Sequence, residues 1–267
     1  MVEMFLFPYA LAAAVVGSSV SWAAAIASRG RFRPVSLWPG LLVALSGLGL
    51  MSLIAAATAR SSGYDDALAP ASPASAMGAA AFLIGLGPFV PWAMGPLARL
   101  GAAGRHLAGR VEKTAPMVAL TMAGTAVAIG MMIVAMAVLP QEHAAAEFLE
   151  EEFRPSLGWL FFAVPAGLVA LAAAWAAAAT SGPAGSRRVA DAGRMGLAAS
   201  WGSAMGTVAG CVAGTLLAKP FALPEDWSVP YSVPYEAPWA AIGLVAVGIP
   251  VVAVGIGLIY PPKPRKP

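Results

Sequence analysis

The sequence predicts an all-α integral membrane protein of seven transmembrane helices, with the N-terminus outside and the C-terminus in the cytoplasm. Three observations lead there. Of the 267 residues, 59% are hydrophobic and 11% charged, whereas a soluble domain carries about 25% charged residues. Seven stretches, at residues 4–28, 37–59, 74–97, 114–139, 157–180, 195–217 and 238–260, contain no Asp, Glu, Lys or Arg. Each is long enough to cross about 30 Å of hydrocarbon, which takes roughly 20 helical residues. The segments between them alternate in charge. Those after the first, third and fifth runs, together with the C-terminal tail, hold 13 of the 16 basic residues, among them Arg29, Arg99, Arg105, Arg187 and Lys263. The opposite segments hold 11 of the 13 acids, including Asp65, Glu150 and Glu225. Lys and Arg concentrate in cytoplasmic loops, so the basic side is inside. An even number of spans breaks this alternation.

Taken in order, the first run has only Glu3 before it and no basic region, so it reads as a span and not as a cleaved signal. The third run carries Pro88 and Pro91, the fifth Pro165 and the seventh Pro250. Neighbouring helices can satisfy the carbonyls these prolines free, which predicts kinks and not breaks. Residues 96–113 set Leu97, Leu100, Leu107 and Val111 among basic residues, the pattern of a helix lying along the inner interface. After the fourth run, residues 146–153 mix Phe148, Leu149 and Phe153 with four glutamates and predict a short outside helix. Residues 181–200 open on Gly182, Pro183 and Gly185 and then present Arg187, Arg188, Asp191 and Arg194, a mixed-charge segment suited to a cytoplasmic partner. In the sixth run Gly206, Gly210 and Gly214 recur every fourth position, the spacing that lets helix backbones approach closely. The last outside loop repeats Ser-Val-Pro-Tyr, at 228–231 and 232–235, beside Trp227 and Trp239, which suits the headgroup layer.

Chemistry is sparse. No span holds an ionisable side chain near its centre, which disfavours a proton- or ion-coupled carrier. His143 and Glu147 stand four apart with no third metal ligand evident. The glycines at 101 and 104 lack the lysine and hydroxyl of a phosphate-binding loop, and no nucleophile elbow or triad is present. The lone cysteine, Cys211, cannot form an intrachain disulfide. The expectation is a protein with no catalytic residues, no metal and no cofactor. The net charge of +3 comes from residues that set topology, so no nucleic-acid partner is expected.

The order of four segments adds a resemblance. GLGPFVPWAMGPLARL at 85–100 leads into the basic helix; KTAPMVALTMAGTAVA at 113–128 opens a span; RRVADAGRMGL at 187–197 is basic and cytoplasmic; APWAAIGLVAVGIP at 237–250 opens the last span. In this order, over roughly residues 82–260, the chain resembles the C-terminal half of an FtsX-like (MacB-type) ABC transporter permease of the Ala-rich actinobacterial kind. Members of that family place a large extracytoplasmic domain after the span matched by 114–139, whereas here about 17 residues, 140–156, intervene. The apolar runs predict a two-helix membrane segment over 1–73, ahead of the resemblance, and the resemblance implies a five-helix permease-type domain over 74–267. It implies a multi-pass subunit of the cell membrane in which Arg187, Arg188, Asp191 and Arg194 couple a separate cytoplasmic ATPase to export or extraction of an amphipathic substrate. Other membrane subunits or a homo-oligomer, and the lipid bilayer, complete the expected partners. The alternative is a non-catalytic accessory or scaffold subunit of a larger membrane complex.

Overall fold

A computed structural model of the chain describes residues 37–58, 73–108, 111–148, 188–218 and 237–259. Among the described residues the structure is all-helical. Helix α1 spans Leu37–Thr58, α2 Pro73–Leu86, α3 Phe89–Ala93, a 3-10 turn Gly95–Arg99, α4 Gly101–Ala108, α5 Val111–Phe148, α6 Arg188–Ala218 and α7 Trp239–Ile259. By length and composition Leu37–Ala56, Met117–Ala137 and Ala192–Ala218 can each cross a membrane. The pair Met77–Leu86 and Phe89–Leu97 passes the same test as one bent span, and Trp239–Gly255 is a shorter apolar helix. The expected spans at 4–28 and 157–180 lie outside the described residues, as do Arg187 and the loop at 219–236.

The helix directions follow from which residues meet. Gly40 of α1 lies against Gly85 of α2, and Gly47 against Gly78, so α1 and α2 form an antiparallel hairpin. Along α6, Gly202 meets Val118, Gly206 meets Met122, Gly210 meets Ala126 and Gly214 meets Gly130, so α5 and α6 run parallel in constant register. Helix α7 is antiparallel to α6, because Gly196 meets Val254 while Ser203 bonds to Ala246. Leu86, the last residue of α2, packs against the cluster that holds Met117 and Val118 of α5 and Ala198 of α6, so α1, α5 and α6 start at one end of the bundle, and α2 and α7 finish there.

Two expectations about helix ends differ. The third apolar run breaks instead of kinking: α2 stops at Leu86, and α3 departs at 50° after a turn at Gly87 and Pro88. Pro88 and Pro91 each lack a donor, so the turn is closed by shorter bonds, from the Gly87 N–H to the Ile84 carbonyl and from the Val90 N–H to the Gly87 carbonyl, both 3.1 Å. Helix α5 also outruns its expected end. It passes through Pro140 and continues to Phe148, so the first residues of the expected outside helix are its last turn.

Large apolar side chains face outward: Trp38, Leu42, Leu45 and Leu53 on α1, and Leu244, Val247 and Val251 on α7. The interior is filled by Ala, Met, Val and Ile around α5, with Ala198, Ala199, Ala209 and Ala213 on α6. Helix α5 is the hub, with 94% of its apolar stretch buried. Alanine-lined helix contacts inside, with large apolar side chains also facing outward, suit a bundle surrounded by lipid, where close helix approach replaces the hydrophobic driving force.

Candidate functional site: the α5–α6 ridge and the elbow beside it

The glycine ridge is built from the backbone outward. A Cβ added to Gly206 would overlap the Met122 carbonyl oxygen and lie 2.7 Å from Thr125 Cβ. On Gly210 it would be 2.6 Å from the Ala126 carbonyl oxygen, and on Gly214 2.9 Å from Gly130 Cα. Real Cβ atoms do not approach other heavy atoms below about 3 Å, so only glycine permits this spacing of the two helices. Gly202 is a fourth member, since its Cβ would overlap Thr121 Oγ1 and the Val118 carbonyl oxygen. Its place was readable from the same four-residue spacing. By contrast Gly243, Gly248 and Gly255 of α7 have nothing within 4 Å. A second close contact, between Gly40 and Gly47 on α1 and Gly78 and Gly85 on α2, follows a seven-residue spacing in both helices, a signal present in the sequence but not among the expectations above.

Buried hydroxyls stitch the three central helices together. Thr121 Oγ1 donates within its own helix, to the carbonyls of Met117 or Val118 at 3.0 Å. Thr125 Oγ1 donates to Ser203 Oγ at 3.3 Å, and Ser203 Oγ donates to the Ala246 carbonyl at 2.6 Å. Ala246 is the residue whose carbonyl would accept from position 250 in a regular helix, and Pro250 has no N–H to give. Ser203 thus supplies the donor that the proline removed. In an apolar medium an unsatisfied carbonyl is costly, so the chain Thr125, Ser203, Ala246 fixes α5, α6 and α7 at one level.

At the end where α5 and α6 begin, α3, the 3-10 turn and α4 form an elbow folded against them. Trp201 Nε1 of α6 donates to the Ala93 carbonyl at 3.1 Å, and Thr114 Oγ1 of α5 donates to the Leu107 carbonyl at 3.2 Å. Val90, Met94, Leu97 and Leu107 pack beneath it with Met117, Val118, Met195 and Ala198. Gly101 turns the chain with φ +84°, a left-handed conformation that side chains disfavour. A Cβ on Gly104 would overlap the Leu97 carbonyl oxygen. The expected single interfacial helix over 96–113 is accordingly two short pieces joined at Leu100 and Gly101. Leu97 and Leu107 turn inward, Leu100 turns outward, and Val111 already belongs to α5.

The coupling residues expected from the sequence fall at this same end. Arg188 is the first residue of α6, Asp191 lies in its first turn, and Arg194 is half-buried in its second. Met195, next along, is buried in the cluster beneath the elbow. Among the described residues no three His, Cys, Asp or Glu side chains converge as metal ligands. His143 and Glu147 fall on the last turns of α5. The chain matches no family model, no curated protein and no solved structure.

Proposed function

We propose that the chain is a seven-span, non-enzymatic subunit of the cell membrane, N-terminus outside and C-terminus cytoplasmic, acting as the permease partner of a cytoplasmic ATPase in an ABC-type transporter. The observation that carries this reading is the junction at the start of α6. The turns bearing Arg188, Asp191 and Arg194 lead directly into Met195, beneath the elbow, and then into the glycine ridge. A push on those first turns reaches α5 through backbone contact with no flexible side chain between. That is the linkage a coupling segment needs. The seven-span topology is supported by the parallel run of α5 and α6. To leave one end of α5 and re-enter α6 from the other, the chain must cross back once, and residues 157–180 have the length and composition to do so. The basic Arg99 and Arg105 lie on the elbow, which supports a cytoplasmic position for that end. An amphipathic substrate follows from the resemblance to FtsX-like permeases.

A second reading, a scaffold subunit of a larger membrane complex, is favoured by the absence of clearance between α5 and α6, which leaves no path between those two helices. Purification of the full chain in mild detergent, with identification of the chains that come with it, separates the two. An ATPase whose yield falls several-fold in the Arg187→Glu, Arg188→Glu double variant, at unchanged membrane level, supports the permease reading. An unrelated multi-subunit assembly insensitive to those changes supports the scaffold.

A further inference from the structure

The elbow has an outer side as well as an inner one. Its inner side is committed to α5 and α6 through Val90, Met94, Leu97 and Leu107. Away from that inner side the elbow exposes Trp92, 63% exposed, and Leu100, 52% exposed, as well as Arg99 and Arg105. Between Asp66 and Glu112 the sequence contains no Asp or Glu. Two exposed arginines therefore stand on an elbow that carries no acid of its own and also exposes a tryptophan and a leucine. Helices α1, α5 and α6 start at the same end, and outward-facing Trp38 and Leu42 mark the beginning of the apolar surface on α1.

We infer that the outer side of the elbow binds anionic lipid headgroups, with Arg99 and Arg105 on the phosphate-bearing layer and Trp92 and Leu100 in the acyl boundary beneath it. An indole is at home at that boundary, and an arginine near an anionic leaflet gains about 1 kcal/mol, or roughly fivefold in affinity. The mixture of apolar and cationic side chains sets this surface apart from a purely electrostatic patch, and charge complementarity selects anionic over zwitterionic lipid. The inference rests on the membrane reading of the chain and is independent of any ATPase partner.

The test uses the full-length protein reconstituted in phosphatidylcholine vesicles containing either brominated phosphatidylglycerol or brominated phosphatidylcholine. Quenching at Trp92 is isolated as the difference between the parent and Trp92→Phe. Phosphatidylglycerol should quench Trp92 at a lower mole fraction than phosphatidylcholine, by several-fold. That preference should disappear in Arg99→Gln with Arg105→Gln, and also in the unmutated protein at about 1 M salt, where charges are screened within about 3 Å. Equal quenching by the two lipids, or a preference that survives both charge removal and salt, overturns the inference. So does a Trp92 that neither lipid quenches while the other tryptophans are quenched, since a protein surface then covers the elbow. If neither lipid quenches any tryptophan, the membrane reading itself fails and takes this inference with it.

Discussion

Ser203 shows how much one hydroxyl can decide. It accepts from Thr125 and donates to the carbonyl that Pro250 leaves without its helical partner. Interhelical hydrogen bonds in membranes contribute about 0.6 kcal/mol on average, with a maximum near 1.7, and the orphaned Ala246 carbonyl should put this one toward the upper end. Ser203→Ala is therefore expected to cost about 1–2 kcal/mol, read as a lower melting temperature in detergent. In a Pro250→Ala background the alanine N–H can reach the same carbonyl, and Ser203→Ala should then cost less than half as much. Equal costs in the two backgrounds would show that Ser203 does not serve that carbonyl. Only half of this was legible in the sequence. Pro250 announced a freed carbonyl, but which residue would answer it depends on the register of α6 against α7, and no local pattern encodes that register.

At the scale of helices the sequence was more informative, and for a physical reason. The absence of a side chain is itself a signal, so glycines at every fourth residue of the sixth run could be read as a close-packed face before any partner was known. The partner, α5, and the parallel direction were beyond reach, because glycine spacing has no polarity. Gly210→Leu is expected to force α6 from α5, at a cost of about 1–3 kcal/mol by analogy with overpacked cores. Gly243→Leu on α7, where nothing lies within 4 Å, should melt with the parent. Indistinguishable melting of Gly210→Leu and Gly243→Leu would remove the ridge from any account of stability. The prolines of the third run were visible in the same way, but the outcome was not. Two prolines three residues apart, preceded by Gly87, remove enough donors that the helix turns away at 50° instead of bending through.

For the whole molecule, charge alternation predicts a topology where the described helices give directions only. Thiol labelling can join the two, with Cys211 replaced by Ala. Gly104 is unsuitable as a site, since any side chain there meets the Leu97 carbonyl, whereas Ala102 is exposed on the elbow. Ala102→Cys should resist an impermeant reagent in intact cells and react after permeabilisation, and Ser62→Cys should react in both. Outside reactivity of Ala102→Cys would reject the proposed orientation. The enclosure of α5 bears on how the protein is made. Of the three unbroken helices able to span a membrane among the described residues it has the highest mean hydropathy, yet it is also the one with the least surface left for lipid. Its greasiness is spent during biosynthesis, when a lone helix must partition from the insertion machinery into the bilayer. Once there, exchanging lipid neighbours for protein neighbours brings little further hydrophobic gain. Assembly is then a separate, later event, governed by fit, and a variant of α5 can be inserted at full yield and still never join its bundle.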